Sequence, residues 1–199
     1  MTTTVPETVL REDPVLEPVV NRFDPHPLDP DVDEFERLVV SIINQQLSTA
    51  SAMAVRKRVF DVLEHDVTVR RVLEADDEAL LEAGLSQQKL AYVRNVATAF
   101  REDDFTREGL ADLSNEEVRA ALTGITGVGD WTARMYLMFV LQRPDVLPLG
   151  DLAVRRAIEL LYNDGDELSR DAMREIAEPW RPHRSLASRY LWAYYEADR

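Results

Sequence analysis

The chain contains no cysteine. That excludes disulfides, cysteine-ligated zinc, iron–sulfur clusters and cysteine nucleophiles. Histidine is scarce too: His26, His65 and His183 stand far apart and show no metal-ligand spacing. No metal site built from side chains is expected. No apolar run approaches the roughly 20 residues that a membrane span needs. The start, MTTTVPETVLREDP, has neither the basic opening nor the apolar stretch of a secretory signal. The expectation is a soluble, cytoplasmic chain with no membrane partner. Lysine is almost missing as well. Among 23 basic residues only Lys57 and Lys89 are lysines; the rest are arginines.

Against these absences stands a large excess of acid. The formal net charge is −14. Nucleic-acid binders are usually basic, because phosphate neutralisation needs cations, so composition alone argues against that class. Acid excess with little lysine is also how a chain adapts to high salt, as in a halophile. Charge would then report the solvent rather than the ligand, and salt screening would still leave room for a local cationic patch. The 199 residues, 45% of them hydrophobic, suit one large domain or two small ones sharing a core.

Six of the ten prolines fall within residues 1–30, so residues 1–32 read as an extended lead with little helix, joined to the helical fold. From Asp33 the pattern is helical. Phe35, Leu38, Val39, Ile42 and Ile43 keep i, i+3, i+4 spacing. Ser48 and Ser86 are placed to cap further helices. Ser114 to Glu117 reads as a capping box, with Val118, Ala121, Leu122 and Ile125 inward. Helical stretches follow from about Trp131 to Leu141, Asp151 to Tyr162, Leu168 to Ala177 and Arg184 to Tyr195. Alternating strand patterns are scarce, so the fold class is all-α, with eight or more short helices.

The most informative stretch is Leu122-Thr-Gly-Ile-Thr-Gly-Val-Gly-Asp-Trp-Thr-Ala133. A helix ends, Gly127-Val128-Gly129 turns, and a second helix starts near Asp130. Glycines open dihedrals closed to other residues and bare the backbone N–H groups. The second helix points its positive end at the turn, which makes an anion site that needs no basic side chain. The same Gly-x-Gly also serves as an ordinary helix stop.

Three segments extend this hairpin into a resemblance. They are Leu38-Val-Val-Ser-Ile-Ile-Asn-Gln-Gln-Leu-Ser48, Gly84-Leu-Ser-Gln-Gln-Lys-Leu-Ala-Tyr-Val-Arg94, and the run from Ile125 through Trp131 and Arg143-Pro-Asp-Val-Leu-Pro-Leu-Gly-Asp151 to Arg156. With the tail around Pro179–Ser185 and Tyr190-Leu-Trp192, they resemble the helix-hairpin-helix (HhH-GPD) DNA glycosylase superfamily. The likeness is to its 3-methyladenine DNA glycosylase II type, in a compact form without the β-rich N-terminal domain of some members. The resemblance covers about Asp33 to Tyr195. It implies two helical subdomains flanking a cleft, residues 33–199 as the glycosylase region, and the hairpin at about 118–141.

Several roles follow from the resemblance. Asp151, 22 positions after Gly129, falls on the catalytic aspartate. Gly127, Val128, Gly129 and Thr132 fall on the DNA-binding hairpin. Trp131, Trp192 and Met135 fall on the base pocket. Gln45 and Gln46 fall on the loop that fills the gap left by an extruded base, with Gln46 the wedge. Apart from the resemblance, Arg155, Arg156, Arg181, Arg184 and Arg189 are candidate phosphate contacts, Arg155 first among them. The partner is double-stranded DNA with a damaged base, and a monomer suffices. No cofactor is required, although the hairpin's carbonyls could seat a monovalent cation, Na+ or K+. Bifunctional relatives carry a Schiff-base lysine where this chain has Trp131, so no lyase activity is expected.

The chemistry suits these residues. Breaking an N-glycosidic bond builds positive charge on the sugar, which a carboxylate stabilises. An alkylated purine is already cationic, and aromatic faces attract it. Other readings use the same residues. Asp151 also fits a plain helix N-cap, Trp192 an aromatic cluster with Tyr190, Tyr194 and Tyr195, and Arg155, Arg156, Arg181, Arg184 and Arg189 ion pairs on an acidic surface. A binding-only hairpin protein, a glycosylase for another base, and an acidic helical interaction protein are the alternative functions.

Overall fold

The computed structural model describes residues 5–197, and they are helical. The chain divides into two compact units. One comprises residues 30–141, with α3 (Glu34–Asn44), α4 (Thr49–Val62), α5 (Val69–Glu74), α6 (Asp77–Glu82), α7 (Gln87–Glu102), α8 (Asn115–Gly124) and α9 (Asp130–Met135). A π-helical turn, Tyr136–Val140, continues α9. The other unit holds residues 5–29 with 142–197. It contains α1 (Val5–Leu10), α2 (Glu17–Arg22), α10 (Leu152–Tyr162), α11 (Arg170–Ile176) and α12 (Arg184–Ala197).

Small polar residues start most of these helices. Asp33, Ser48, Thr68, Asp76, Ser86, Ser114, Asp151 and Ser169 each accept a backbone N–H from two or three residues ahead. Each such cap is worth about 0.5–2 kcal/mol. Ser114 and Glu117 close the expected capping box. One expected inward residue fails: Ala121 is exposed, because α8 turns only Val118 and Leu122 inward and ends at Gly124 before Ile125.

The hairpin unit is built on α3, which packs on α4 and α7. Leu38, Val39, Ile42 and Ile43 of α3 and Val93, Val96 and Ala97 of α7 are buried; a fully buried Leu or Ile contributes about 1.5–3 kcal/mol. Phe35, Phe100 and Phe105 add an aromatic cluster, with ring centroids 5.4 Å apart in each adjacent pair. The Tyr136 hydroxyl donates to Phe105 O at 2.6 Å, and burial pushes that phenol's pKa up. The predicted helix from Trp131 to Leu141 is one continuous run, but its second half is π. Leu141 N reaches back five residues to Tyr136 O, the register of a π turn.

In the other unit α10 packs on α12. The lead is not extended, as its prolines had suggested. Pro6 and Pro18 lie in the first turns of α1 and α2, where a missing N–H costs nothing, and Leu10, Leu16, Val19 and Val20 are buried. Asp13 anchors it. Its carboxylate accepts the Tyr162 hydroxyl at 2.7 Å, the Trp180 indole N–H at 2.9 Å, and the backbone N–H groups of Val15 and Leu16 at 2.9 and 3.2 Å. Among the described residues no helix is long and apolar enough to cross a membrane.

Candidate functional site

The turn between α8 and α9 lies in the hairpin unit, and its two glycines do different things. Gly127 sits at φ +111°, and a Cβ there would meet Tyr92 Cγ at 2.4 Å. The glycine is therefore forced by backbone and by the ring of α7 beneath it. Gly129 does not need special dihedrals, contrary to the expectation for both. It is the N-cap of α9 at φ −87°, and an added Cβ would meet nothing within 4 Å. What Gly129 leaves is open space in front of the first N–H groups of α9, which no earlier turn of that helix can satisfy.

The turn is held from behind by side-chain amides. Gln45, at the C-cap of α3, donates to Gly127 O at 3.1 Å; Asn95 of α7 donates to Thr126 O at 3.1 Å. Lys89 donates to Ile43 O at 2.7 Å, a cation on the last carbonyls of α3, where the helix end is negative. The next residue after Gln45 is Gln46, exposed and at φ +57°. A left-handed backbone at a non-glycine costs of order 1–3 kcal/mol and persists only where surroundings impose it. Gln46, Lys89, Tyr92 and Gly127 to Gly129 line one cavity of about 400 Å³.

Asp130 opens α9 with a negative charge beside the turn. Burial alone would raise its pKa, but hydrogen bonds and charge from Arg134 at 2.9 Å and Arg119 at 3.0 Å hold it below the usual range. Next to it Trp131 is 44% exposed, a large apolar surface offered outward. Met135, one turn on, is buried, as is Val128. Thr132 is only 4% exposed, so of the expected hairpin contacts its hydroxyl and the Val128 side chain face inward, and these positions can offer a ligand backbone alone.

Asp151 lies in the other unit and is the helix N-cap that the sequence allowed. It caps α10: Oδ1 accepts Ala153 N at 2.9 Å and Val154 N at 3.2 Å. The same oxygen accepts the Trp192 indole N–H at 3.0 Å. The carboxylate is half-buried, oriented by a helix start and by α12 together. Trp192 is thus less an open pocket wall than expected. Its ring is buried, edge-on to His26 with centroids 6.3 Å apart. The sequence showed this indole but gave no sign of its N–H bond, which depends on α10 and α12 lying side by side. Lys89, Tyr92 and Asn95 were likewise missed as supports of the turn, although the motif around Gly84–Arg94 contains two of them.

Of the remaining arginines, Arg184 grips Asp145 with two bonds of 2.5 and 2.9 Å and Arg181 shares that carboxylate. Arg189 donates to His26 O. These three are structural. Arg155 stands apart, with one long bond of 3.5 Å to Leu149 O. No group of three or more His, Asp or Glu side chains that could hold a metal occurs among the described residues.

The fold recurs in known proteins. A DNA-3-methyladenine glycosylase of Schizosaccharomyces pombe is 30% identical over 163 residues, which cover 80% of this chain and 72% of that protein. The crystal structure of a DNA-3-methyladenine glycosidase from Bacillus halodurans matches 100% of this chain and 94% of its own, at 30% identity and a TM-score of 0.89. A Schizosaccharomyces pombe 3-methyladenine DNA glycosylase in complex with abasic DNA matches 95% of each chain, at 27% identity and a TM-score of 0.81. The chain spans less than two thirds of the Bacillus subtilis relatives it matches, 62% and 56% of their lengths. The model of the HhH-GPD superfamily of base excision DNA repair proteins matches residues 39–182, and the chain belongs to that superfamily.

Proposed function

We propose that the chain is a monofunctional DNA N-glycosylase. It removes alkylated purines of the 3-methyladenine and 7-methylguanine kind from double-stranded DNA, and leaves an abasic site in an intact strand. The observation that carries this reading is Asp151, a half-buried carboxylate whose orientation is set by Ala153 N, Val154 N and the Trp192 indole. Such a group is in place before charge develops, so it stabilises an oxocarbenium-like sugar without reorganising. The alkylated purine leaves with the electron pair of the glycosidic bond and becomes neutral. Water adds at the sugar carbon, and its proton passes to Asp151 or to solvent. The hairpin unit supplies binding: backbone N–H groups at Gly129 and the start of α9 for a phosphate, Gln46 for the gap left by base flipping, and the exposed face of Trp131 for a cationic ring. Trp131 brings no amine, which supports hydrolysis without strand cleavage. The reading needs one copy of the chain.

The resemblance also implies a monovalent cation on the hairpin carbonyls. Thr126 O and Gly127 O each accept one amide, from Asn95 and Gln45, which leaves each carbonyl a second lone pair for such an ion; no step is assigned to a cation.

The test is Asp151→Asn. An asparagine keeps an oxygen for the cap and for Trp192 while removing the charge. Release of 3-methyladenine and 7-methylguanine from single-lesion duplexes should fall at least a hundredfold, with affinity for abasic-site DNA within about threefold of wild type. Undiminished release would end the assignment of Asp151, and release of none of a panel of alkylated bases by the wild type would end the reading.

A further inference from the structure

A second cavity, of about 420 Å³, opens between α10 and the start of α11 within the unit that carries Asp151. Three arginines line it: Arg155 and Arg156 from α10, and Arg170 from the first turn of α11. Arg156 is engaged, at 2.8 Å from Glu159, whose other oxygen accepts Leu168 N at 3.3 Å. Glu159 is buried, with one contact on each carboxylate oxygen. Arg155 and Arg170 make no ion pair among the described residues, although the chain carries 37 acidic residues against 23 basic ones. Glu167 also lines the cavity without closing a salt bridge to either.

Position points to the ligand. Arg155 follows Asp151 by four residues, one helical turn on the same face. Leu152, next to Asp151, is 56% exposed and lines this cavity too. Any sugar that Asp151 acts on is flanked by two phosphodiesters, so an anion must lie within about one nucleotide of Asp151 whenever the chain works. We infer that Arg155 and Arg170 form a second phosphate-binding site, separate from the hairpin, which holds a backbone phosphodiester of the DNA that Asp151 engages. This rests on the proposed glycosylase reading for the ligand, but not for the test.

The experiment is equilibrium binding of an undamaged and an abasic-site duplex to the full chain, titrated from 0.05 to 0.5 M KCl. The proteins are wild type, the double variant Arg155→Gln with Arg170→Gln, and Arg70→Gln, whose arginine pairs with Glu74 on α5. Each lost phosphate contact lowers the slope of log K against log salt by about 0.9. The double variant should lose between one and two units of slope and bind about tenfold or more weakly at the lowest salt. Arg70→Gln should match wild type, with melting curves as the check that both variants fold. An unchanged slope in the double variant overturns the inference while leaving the glycosylase reading intact. A reduced slope in a protein that releases no base sustains the site and overturns the glycosylase reading. Absence of duplex binding by wild type overturns both. Inorganic phosphate binding lost in the double variant, with the DNA slope unchanged, would assign the cavity to a small anion and also overturn the inference.

Discussion

At the scale of single residues, Gly127 and Gly129 separate folding from binding. Gly127→Ala places a methyl against Tyr92 at a positive φ, and should cost about 1–3 kcal/mol in stability. Gly129→Ala meets nothing and needs no unusual dihedral, so its melting temperature should stay within about 2 °C of wild type. Its affinity for abasic-site DNA should nonetheless fall, because the methyl occupies the approach to the first N–H groups of α9. Melting curves and binding isotherms of the two variants check this, and an unweakened Gly129→Ala would remove the phosphate from that spot. Trp192→Phe keeps the aromatic bulk but takes one donor from Asp151 Oδ1. A hydrogen bond to a charged group is worth about 1.5–3 kcal/mol. The rate of base release should drop about tenfold or more with little change in DNA affinity, and the substitution should cost almost nothing further in an Asp151→Asn background.

At the scale of elements, the corner after α3 is tied twice, to α7 through Lys89 and to the hairpin through Gln45. Gln46 projects from that corner, so its placement depends on both ties. Lys89→Met keeps the apolar stem and removes the ammonium. It should weaken binding to abasic-site DNA, and its effect should largely vanish when Gln46 is already alanine, the non-additivity expected of residues acting through one another. Full additivity would mean that Lys89 acts on DNA by itself. The helices themselves were legible because their caps are local: Ser48, Ser86 and Ser114 announce starts that depend on three or four neighbouring residues. The prolines of the lead are ambiguous because proline marks helix starts as well as breaks, and only burial of Leu10 and Leu16 decides between them. Asp151 was legible as a helix cap from the helical run that follows it. The indole bond that orients it joins residues 41 positions apart, and nothing in the spacing of either segment encodes it.

At the scale of the molecule, a net charge of −14 repels itself in dilute buffer and is screened within about 3 Å at molar salt. We expect the melting temperature to rise between 0.05 and 2 M KCl, and base release to persist in molar salt although DNA affinity declines. A falling melting temperature over that range would refute the high-salt explanation of the composition. Acid has the opposite effect on the anchored lead. Burial would raise the Asp13 pKa, but bonds from Trp180, Tyr162, Val15 and Leu16 outweigh it and lower it below its ordinary value. A lowered folded pKa gives stability that is present above the unfolded pKa and is lost as pH falls through the folded one. Asp13→Asn should therefore be less stable than wild type at neutral pH, with the gap narrowing below about pH 4. A gap that does not change with pH would show that the carboxylate's charge contributes nothing.

The three tryptophans give the protein a built-in optical signal. Trp180 and Trp192 are buried, while Trp131 is the exposed one of the three. A water-soluble quencher should therefore extinguish the red-shifted emission of Trp131 and spare the other two. A nucleobase stacked on that indole would shield it from the quencher and dim it by contact. Titrating DNA into the unlabelled protein should then report base capture directly, with Trp131→Phe as the blank, and would time the flipping step apart from the hydrolysis that follows.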